Sequence, residues 1–332
     1  MKLSSNFYRL VGATILSAAL SVGFWWNPLA DSHPLVAPAS IACHSSASGG
    51  DHPGMVYVTG GDFTMGAEYA YPEEGPRHAA RVKGFWMDET EVTNTQFSGF
   101  VAATGYRTLA ERGISNPDHP EQTAIAGSAI FKPPLKQGQP DPFQSWWQFQ
   151  PGANWQHPEG PDSNIRDRAQ HPVVHIAFED AEAYALWKGR TLPTEEQFEF
   201  SAQTSSREDK NGKQIANTWQ GLFPFEQEST DGYPGTAPVG CYPSNALGIY
   251  DLIGNVWEWT ASPYYQAHDF ADKAKYPEGF DPNQPTDAVA VIKGGSYLCA
   301  ANYCIRYRPE ARQGQSKGLG TAHIGFRTVL NL

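Results

Sequence analysis

The sequence predicts a single α+β domain with few helices and much irregular backbone, and three observations carry that expectation. The chain has 332 residues, of which 40% are hydrophobic and 13% aromatic, enough for a sizeable core. Its 32 Gly and 26 Pro are too many for a helical bundle and lack the period of collagen, so turns take up much of the chain. The stretches of helical or strand periodicity are short and mixed, with no internal repeat of useful period.

Charge narrows the function. The 24 basic and 35 acidic residues give a net charge of −11, which argues against a nucleic-acid binder needing a basic face to displace phosphate counterions. Four cysteines over this length do not make a disulfide scaffold, so any that matter are expected to matter as chemistry.

At the N-terminus Lys2 and Arg9 precede a stretch without charge from Leu10 to Ala30. That is the pattern of a signal peptide or signal anchor, with Ala37-Pro38-Ala39 as a small-x-small cleavage site. Residues 1–52 are therefore read as export segment plus flexible linker, and 53–332 as the domain. Membrane contact is expected only through that segment, and the domain is placed outside the reducing cytosol.

Within the domain a strand is predicted at Met55 to Val58, a turn at Gly60-Gly61, and a second strand from Ala80 to Met87. Thr93 reads as the N-cap of a helix striped by Phe97, Phe100 and Val101 and ending near Gly105. Residues 110 to 165 have little periodicity but much Pro, Gln and Trp, and a long structureless stretch is usually functional. A second helix fits Phe178 to Lys188. Thr194 with Gln197 has capping-box spacing for a third, through Phe198 and Phe200. Beyond Thr204 only short strands and turns are expected, ending in a strand at Gly325 to Val329.

Two stretches carry candidate ligands. Asn217-Thr218 with Asp231-Gly232-Tyr233, and Asp251 with Gly254-Asn255-Val256-Trp257-Glu258, mix carboxylates, Asn and Gly turns as Ca²⁺ sites do. Neither matches an EF-hand loop, and turn-forming Asp and Asn satisfied by local amides fit the same residues. The most informative stretch runs from Lys293 to Arg308. After Tyr303 it alternates, with Cys304, Arg306 and Arg308 on one face. Cys299 lies five residues before Cys304, so Ala300-Ala301-Asn302 must turn if the sulfurs are to converge. Arg306 and Arg308 are expected to lower both thiol pKa values. A structural disulfide, a zinc site and a two-thiolate Cu(I) site are the readings, zinc being disfavoured for want of a second ligand pair. Spacing leaves them open.

These residues resemble the formylglycine-generating enzymes, or sulfatase-modifying factors, over nearly everything from Met55 to Thr328. The likeness runs through Gly60-Gly61-x-Phe63-x-Met65-Gly66, Gly152-Ala153-Asn154-Trp155, Arg190-Thr191-Leu192-Pro193-Thr194-Glu195, Gly254-Asn255-Val256-Trp257-Glu258-Trp259 and Gly325-Phe326-Arg327. The resemblance implies that family's variant of the C-type-lectin-like fold. It includes the cysteine stretch, which is similar to the active branch rather than to iron-dependent sulfoxide synthases or silent paralogues.

The activity implied is O₂-dependent oxidation of a cysteine in a Cys-x-Pro-x-Arg segment of an unfolded sulfatase to Cα-formylglycine, with Cu(I) on Cys299 and Cys304. Ser296, Tyr303 and Trp257 fall where the family lines its active site, and Trp155 and His323 where it meets substrate. Two structural Ca²⁺ sites are implied: Asn217, Thr218, Asp231 and Tyr233 form one; Asp251, Gly254, Val256 and Glu258 form the other.

Ala300 stands where some members have His, His323 where Asn is frequent, and Ala202 where animal members have a disulfide cysteine. With that cysteine replaced by Ala202, calcium and packing are expected to hold the core; Cys43 and Cys241 have no recognised counterpart in the family. The absent disulfides and retention signal suggest a bacterial exported enzyme. The alternative from another class is a calcium-dependent lectin-like binding module or a silent paralogue.

Overall fold

The computed structural model describes residues 43, 51–113, 124–133 and 146–332. Strand β1 spans Met55–Val58, as its alternation predicts. β2 (Gly61–Met65) and β3 (His78–Val82) form an antiparallel hairpin, and β4 (Phe85–Asp88) follows. The single strand expected from Ala80 to Met87 is thus two, because each half has its own partner: β3 pairs with β2, and β4 with β1.

Helix α1 (Asn94–Thr104) begins where Thr93 predicts. The Gln96 amide donates to Thr93 Oγ1 at 3.2 Å and the Thr93 amide to Gln96 Oε1 at 2.8 Å, satisfying two of the helix's free donors. It ends on Gly105, whose φ of 69° suits a residue without Cβ. A short α2 (Leu109–Arg112) precedes the hairpin of β5 (Gly127–Phe131) and β6 (Trp147–Pro151). α3 (Phe178–Trp187) buries Phe178, Ala181, Tyr184 and Ala185, and α4 (Glu195–Ala202) is capped by Thr194 as expected.

The remaining strands are β7 (Trp257–Pro263), β8 (Val289–Lys293), β9 (Arg312–Ser316), β10 (Ile324–Gly325) and β11 (Val329–Asn331). They complete a four-stranded sheet ordered β10-β7-β8-β9 and a three-stranded sheet ordered β1-β4-β11. The strand expected at Gly325 to Val329 is therefore split between two sheets: β10 lies parallel to β7, whereas β11 pairs with β4.

The main core packs α1 and α3 on the four-stranded sheet, with Phe97 edge-on to Trp155 and Phe326. A second core joins Val58, Phe85, Met87, Phe198 and Val329 under the three-stranded sheet. Buried ion pairs tie the layers. Arg312 forks onto Glu195 at 2.6 and 2.9 Å, and Lys293 meets Glu199 at 2.8 Å.

One covalent link was not foreseen. Cys43 is disulfide-bonded to Cys241, their Cα atoms 4.6 Å apart, which fastens a residue read as linker to the domain. The domain is thus not held by packing alone. Among the described residues no helix is long and apolar enough to cross a membrane. The stretch from Leu10 to Ala30, and most of the poorly periodic stretch between residues 112 and 146, lie outside the described residues.

Candidate active site

Cys299 and Cys304 meet at the wall of a cleft of about 400 Å³. β8 delivers the chain to Gly294 and Gly295, both with positive φ. A Cβ on Gly295 would stand 2.7 Å from the Arg306 carbonyl and 3.3 Å from the Cys299 sulfur, so only glycine allows this crossing. The Ala300-Ala301-Asn302 stretch does turn, and the Cys304 amide donates to the Ala300 carbonyl at 2.9 Å. The sulfurs then stand 3.1 Å apart, both free, Cys299 buried and Cys304 partly open.

Their electrostatics differ, contrary to the expectation that both pKa values fall. Burial pushes the Cys299 thiol well up. A hydrogen bond from Cys299, helped by the Arg306 amide and guanidinium, brings Cys304 down to about 7. Residues 303 to 308 also form no strand, and Cys304 and Tyr307, expected on opposite faces, both pack against the main core.

Ser296 is buried behind the pair. Its carbonyl accepts the Cys299 amide at 2.8 Å, and its hydroxyl accepts the Leu298 amide at 3.2 Å and lies 3.1 Å from His323 Nδ1. Desolvation beside Trp147 lowers the His323 imidazole to about 3, keeping it neutral near pH 7. Trp257 is buried and, like Ser296, Tyr303 and His323, lines the cleft. Tyr303 stacks on Phe223 with ring centres 4.4 Å apart, and Asn302 braces Phe223 by two amide hydrogen bonds.

Trp155 does not join them. It is 1% exposed, packs on Phe97 in the core and donates its indole N–H to Glu111 at 3.3 Å. The resemblance implied a substrate contact for Trp155, and its burial in the core corrects that expectation. The aromatic wall of the cleft is Phe131, Trp146, Trp147 and Phe223 instead, with Tyr71 and Glu73 on the lining as well. Tyr71 and Glu73 escaped the sequence reading; their only signal is two adjacent glutamates matching the alternating Arg306 and Arg308.

The first candidate calcium set lies in two turns that hydrogen-bond to each other. Asn217 Nδ2 donates to the Gly235 carbonyl at 2.9 Å, and Gln220 Oε1 receives the Thr230 and Asp231 amides. Asn217 Oδ1 is buried with no hydrogen-bond partner among the described residues, an acceptor that a cation would satisfy. Asp231 accepts from the Tyr233 amide and the Tyr242 hydroxyl, and Thr218 is buried alongside.

The second set fits less well. Asp251 accepts the Gly240 amide at 2.6 Å, and Gly254 passes so close to the Asn217 carbonyl that a Cβ would approach to 2.3 Å. Val256 is fully buried, but both oxygens of Glu258 accept from Arg327 at 2.7 Å. That carboxylate already has a cation. Among the described residues no three His, Cys, Asp or Glu side chains converge as a metal cage, so any calcium would need carbonyl and amide oxygens beside at most two carboxylates.

Residues 42–332 match the family described as sulfatase-modifying factor enzyme 1-like domain. The chain is 42% identical over 293 residues to the formylglycine-generating enzyme of Mycobacterium tuberculosis, covering 83% of this chain and 97% of that protein. It is 39% identical to the formylglycine-generating enzyme of Streptomyces coelicolor, covering 82% of this chain and 88% of that one. Similarity extends to the inactive Cα-formylglycine-generating enzyme 2 of Mus musculus, at 36% identity, 83% of this chain and 85% of that protein. The structure of PvdO from Pseudomonas aeruginosa superposes with a TM-score of 0.54 at 23% identity, covering 84% and 94%, a likeness of fold.

Proposed function

Because this chain belongs to the sulfatase-modifying factor family of formylglycine-generating enzymes, we propose that it oxidises a cysteine in a Cys-x-Pro-x-Arg segment of an unfolded sulfatase to Cα-formylglycine. The observation that carries this reading is the pair of free thiols 3.1 Å apart beside an aromatic cleft. Inactive relatives share the fold, so activity has to rest on these side chains.

The two thiols suit Cu(I), which prefers soft sulfur donors and accepts few of them. Copper bound there would supply the electron transfer to dioxygen. The protein's own part is positional. Burial of Cys299 excludes water from one side of the pair, while the open side of Cys304 faces the cleft where an extended peptide can lie. Ser296 and neutral His323 form a hydrogen-bonded pair lining that cleft. Tyr303 and Trp257 give it an apolar wall.

Turning a CH₂–SH group and O₂ into an aldehyde, H₂S and water takes two further electrons and two protons, so a thiol reductant is consumed with each turnover. The same reading includes structural calcium at Asn217 and Asp231, and export of the chain by its N-terminal segment.

The test is a synthetic Cys-x-Pro-x-Arg peptide incubated with the protein, Cu(I), O₂ and a thiol reductant. Mass spectrometry should show aldehyde formation that stops when copper is withheld. Peptide binding without any mass change would favour the binding-module reading.

A further inference from the structure

The cysteine segment is gripped by a turn more than two hundred residues earlier in the chain. Residues Pro72–Glu74 form one turn of 3-10 helix preceded by Tyr71. The Ile305 amide donates to the Tyr71 hydroxyl at 3.3 Å. Glu73 pairs with Arg306, whose guanidinium lies 3.8 Å from the centre of the Tyr71 ring. Glu74, fully buried, pairs with Arg308. The turn is itself anchored, because Arg312 donates to the Glu73 carbonyl at 3.0 Å while forked onto Glu195.

From these contacts we propose that Glu73 is a positioning residue for the thiol pair, fixing through Arg306 and Tyr71 where Cys304 holds its sulfur. Cys299 is placed from the other side, by the hydrogen bond from its amide to the Ser296 carbonyl just beyond β8. The sulfur separation is therefore set by two supports that meet only in the folded chain. Among the described residues Arg306 Nε is buried without a hydrogen-bond partner, so beyond its contact with the Cys304 thiol the guanidinium depends on Glu73 and the Tyr71 face. Removing Glu73 leaves that cation unpaired, and the segment carrying Cys304 must shift to solvate it. Partners that orient metal ligands typically change metal affinity 10–100-fold when removed.

This inference rests on the thiol pair being the working site, and its test separates the two. Full-length wild type, Glu73→Ala and Glu73→Asp are compared for Cu(I) affinity by competition with a chromogenic chelator. They are also compared for the rate at which an azo oxidant closes Cys299 and Cys304 into a disulfide, mapped by mass spectrometry. Glu73→Ala should weaken Cu(I) binding at least ten-fold and slow disulfide closure by a similar factor, with melting shifted by only a few degrees. Glu73→Asp should recover part of both, since a shorter carboxylate still pairs Arg306. Should the wild type bind no Cu(I), the copper reading fails while disulfide closure still reports the spacing. Closure and affinity within two-fold of wild type in Glu73→Ala would overturn the positioning role.

Discussion

Arg327 donates from Nε and Nη2 to the two oxygens of Glu258, each at 2.7 Å, with neither side chain exposed. The same guanidinium reaches the carbonyls of Asp88, Glu89 and Tyr250, so it joins the strand that holds Trp257 to the three-stranded sheet. Glu258 raises the arginine's pKa further and keeps it charged. Removing one partner of such a buried pair strands a charge, at a cost of about 3–5 kcal/mol.

Glu258→Gln should therefore destabilise the protein by about that amount in denaturant titrations, and should do so equally with and without excess calcium. A loss below about 1 kcal/mol would show that the pair is not the tie described. A loss that appears only in calcium would return Glu258 to the role of a cation ligand.

Acid should remove the stabilising contribution of a defined set of buried histidines. Burial lowers both His171 and His175 from 6.5 to about 4, and lowers His323 to about 3. Between pH 6.5 and 4 the unfolded chain takes up these protons and the folded chain does not. Their contribution is full above 6.5 and is lost as pH falls. Asp180 opposes them: burial raises it to about 6, so the folded state gains as pH drops from 6 towards 3.8. Burial raises Asp88, Glu91 and Glu258 in the same sense as Asp180, so the histidines are read by difference between variants and not from the net curve. For fully buried His175 the loss approaches ~3 kcal/mol. On acidification through that window His175→Gln should lose less stability than the wild type; equal pH dependence in the two proteins would refute the assignment.

Chelation probes the cation at Asn217. A ligand held 100-fold above its Kd stabilises the native state by about 3 kcal/mol, so excess chelator should lower Tm by several degrees. Asp231→Ala and Asn217→Ala should each lose part of that sensitivity. A melting curve indifferent to chelator in the wild type would sink the calcium reading.

The Cys43–Cys241 bond spans 198 residues of sequence. Replacing both by Ser should cost about 2–5 kcal/mol, the usual scale for a native disulfide. A chain beginning at Gly50 should be weakened by the same amount while remaining folded, because the cores lie beyond that point. If the truncated chain matches the full chain in stability, the crosslink constrains nothing in solution.

What the sequence revealed and what it hid divides by the range of the interaction. The caps at Thr93 and Thr194 were legible because a capping box is complete within four residues. The convergence of Cys299 and Cys304 was legible for the same reason, needing only a turn between them. The halves of the two mis-drawn strands were also visible, but not that each half joins a different sheet, since pairing is decided by distant partners. Trp155 was misplaced because a matching motif does not say whether its aromatic faces core or cleft. Glu73 with Arg306, and Cys43 with Cys241, are matched only in three dimensions, and nothing local announces either pair.

The thiol pair itself separates a reactive site from a structural one. Cys304 lies partly open at the cleft, so Cys304→Ser exchanges one small group for another with little change in packing. Cys299 is 2% exposed within the main core, and Ser there buries a hydroxyl, at a cost of about 1–3 kcal/mol unless it finds a partner. Both variants should therefore fold, with Cys304→Ser melting close to the wild type. Both should nonetheless lose copper-dependent turnover of a Cys-x-Pro-x-Arg peptide, because a hard hydroxyl does not replace a soft thiolate. Reductant should raise wild-type activity, by keeping both sulfurs free and supplying the two electrons that the substrate does not. Were the pair a structural crosslink in solution, reductant would lower Tm and each Ser variant would lose activity only as far as it unfolded. Measuring turnover with and without Cu(I) beside melting curves for the three proteins decides the matter. Substantial copper-dependent turnover in either folded variant would remove the pair from the chemistry.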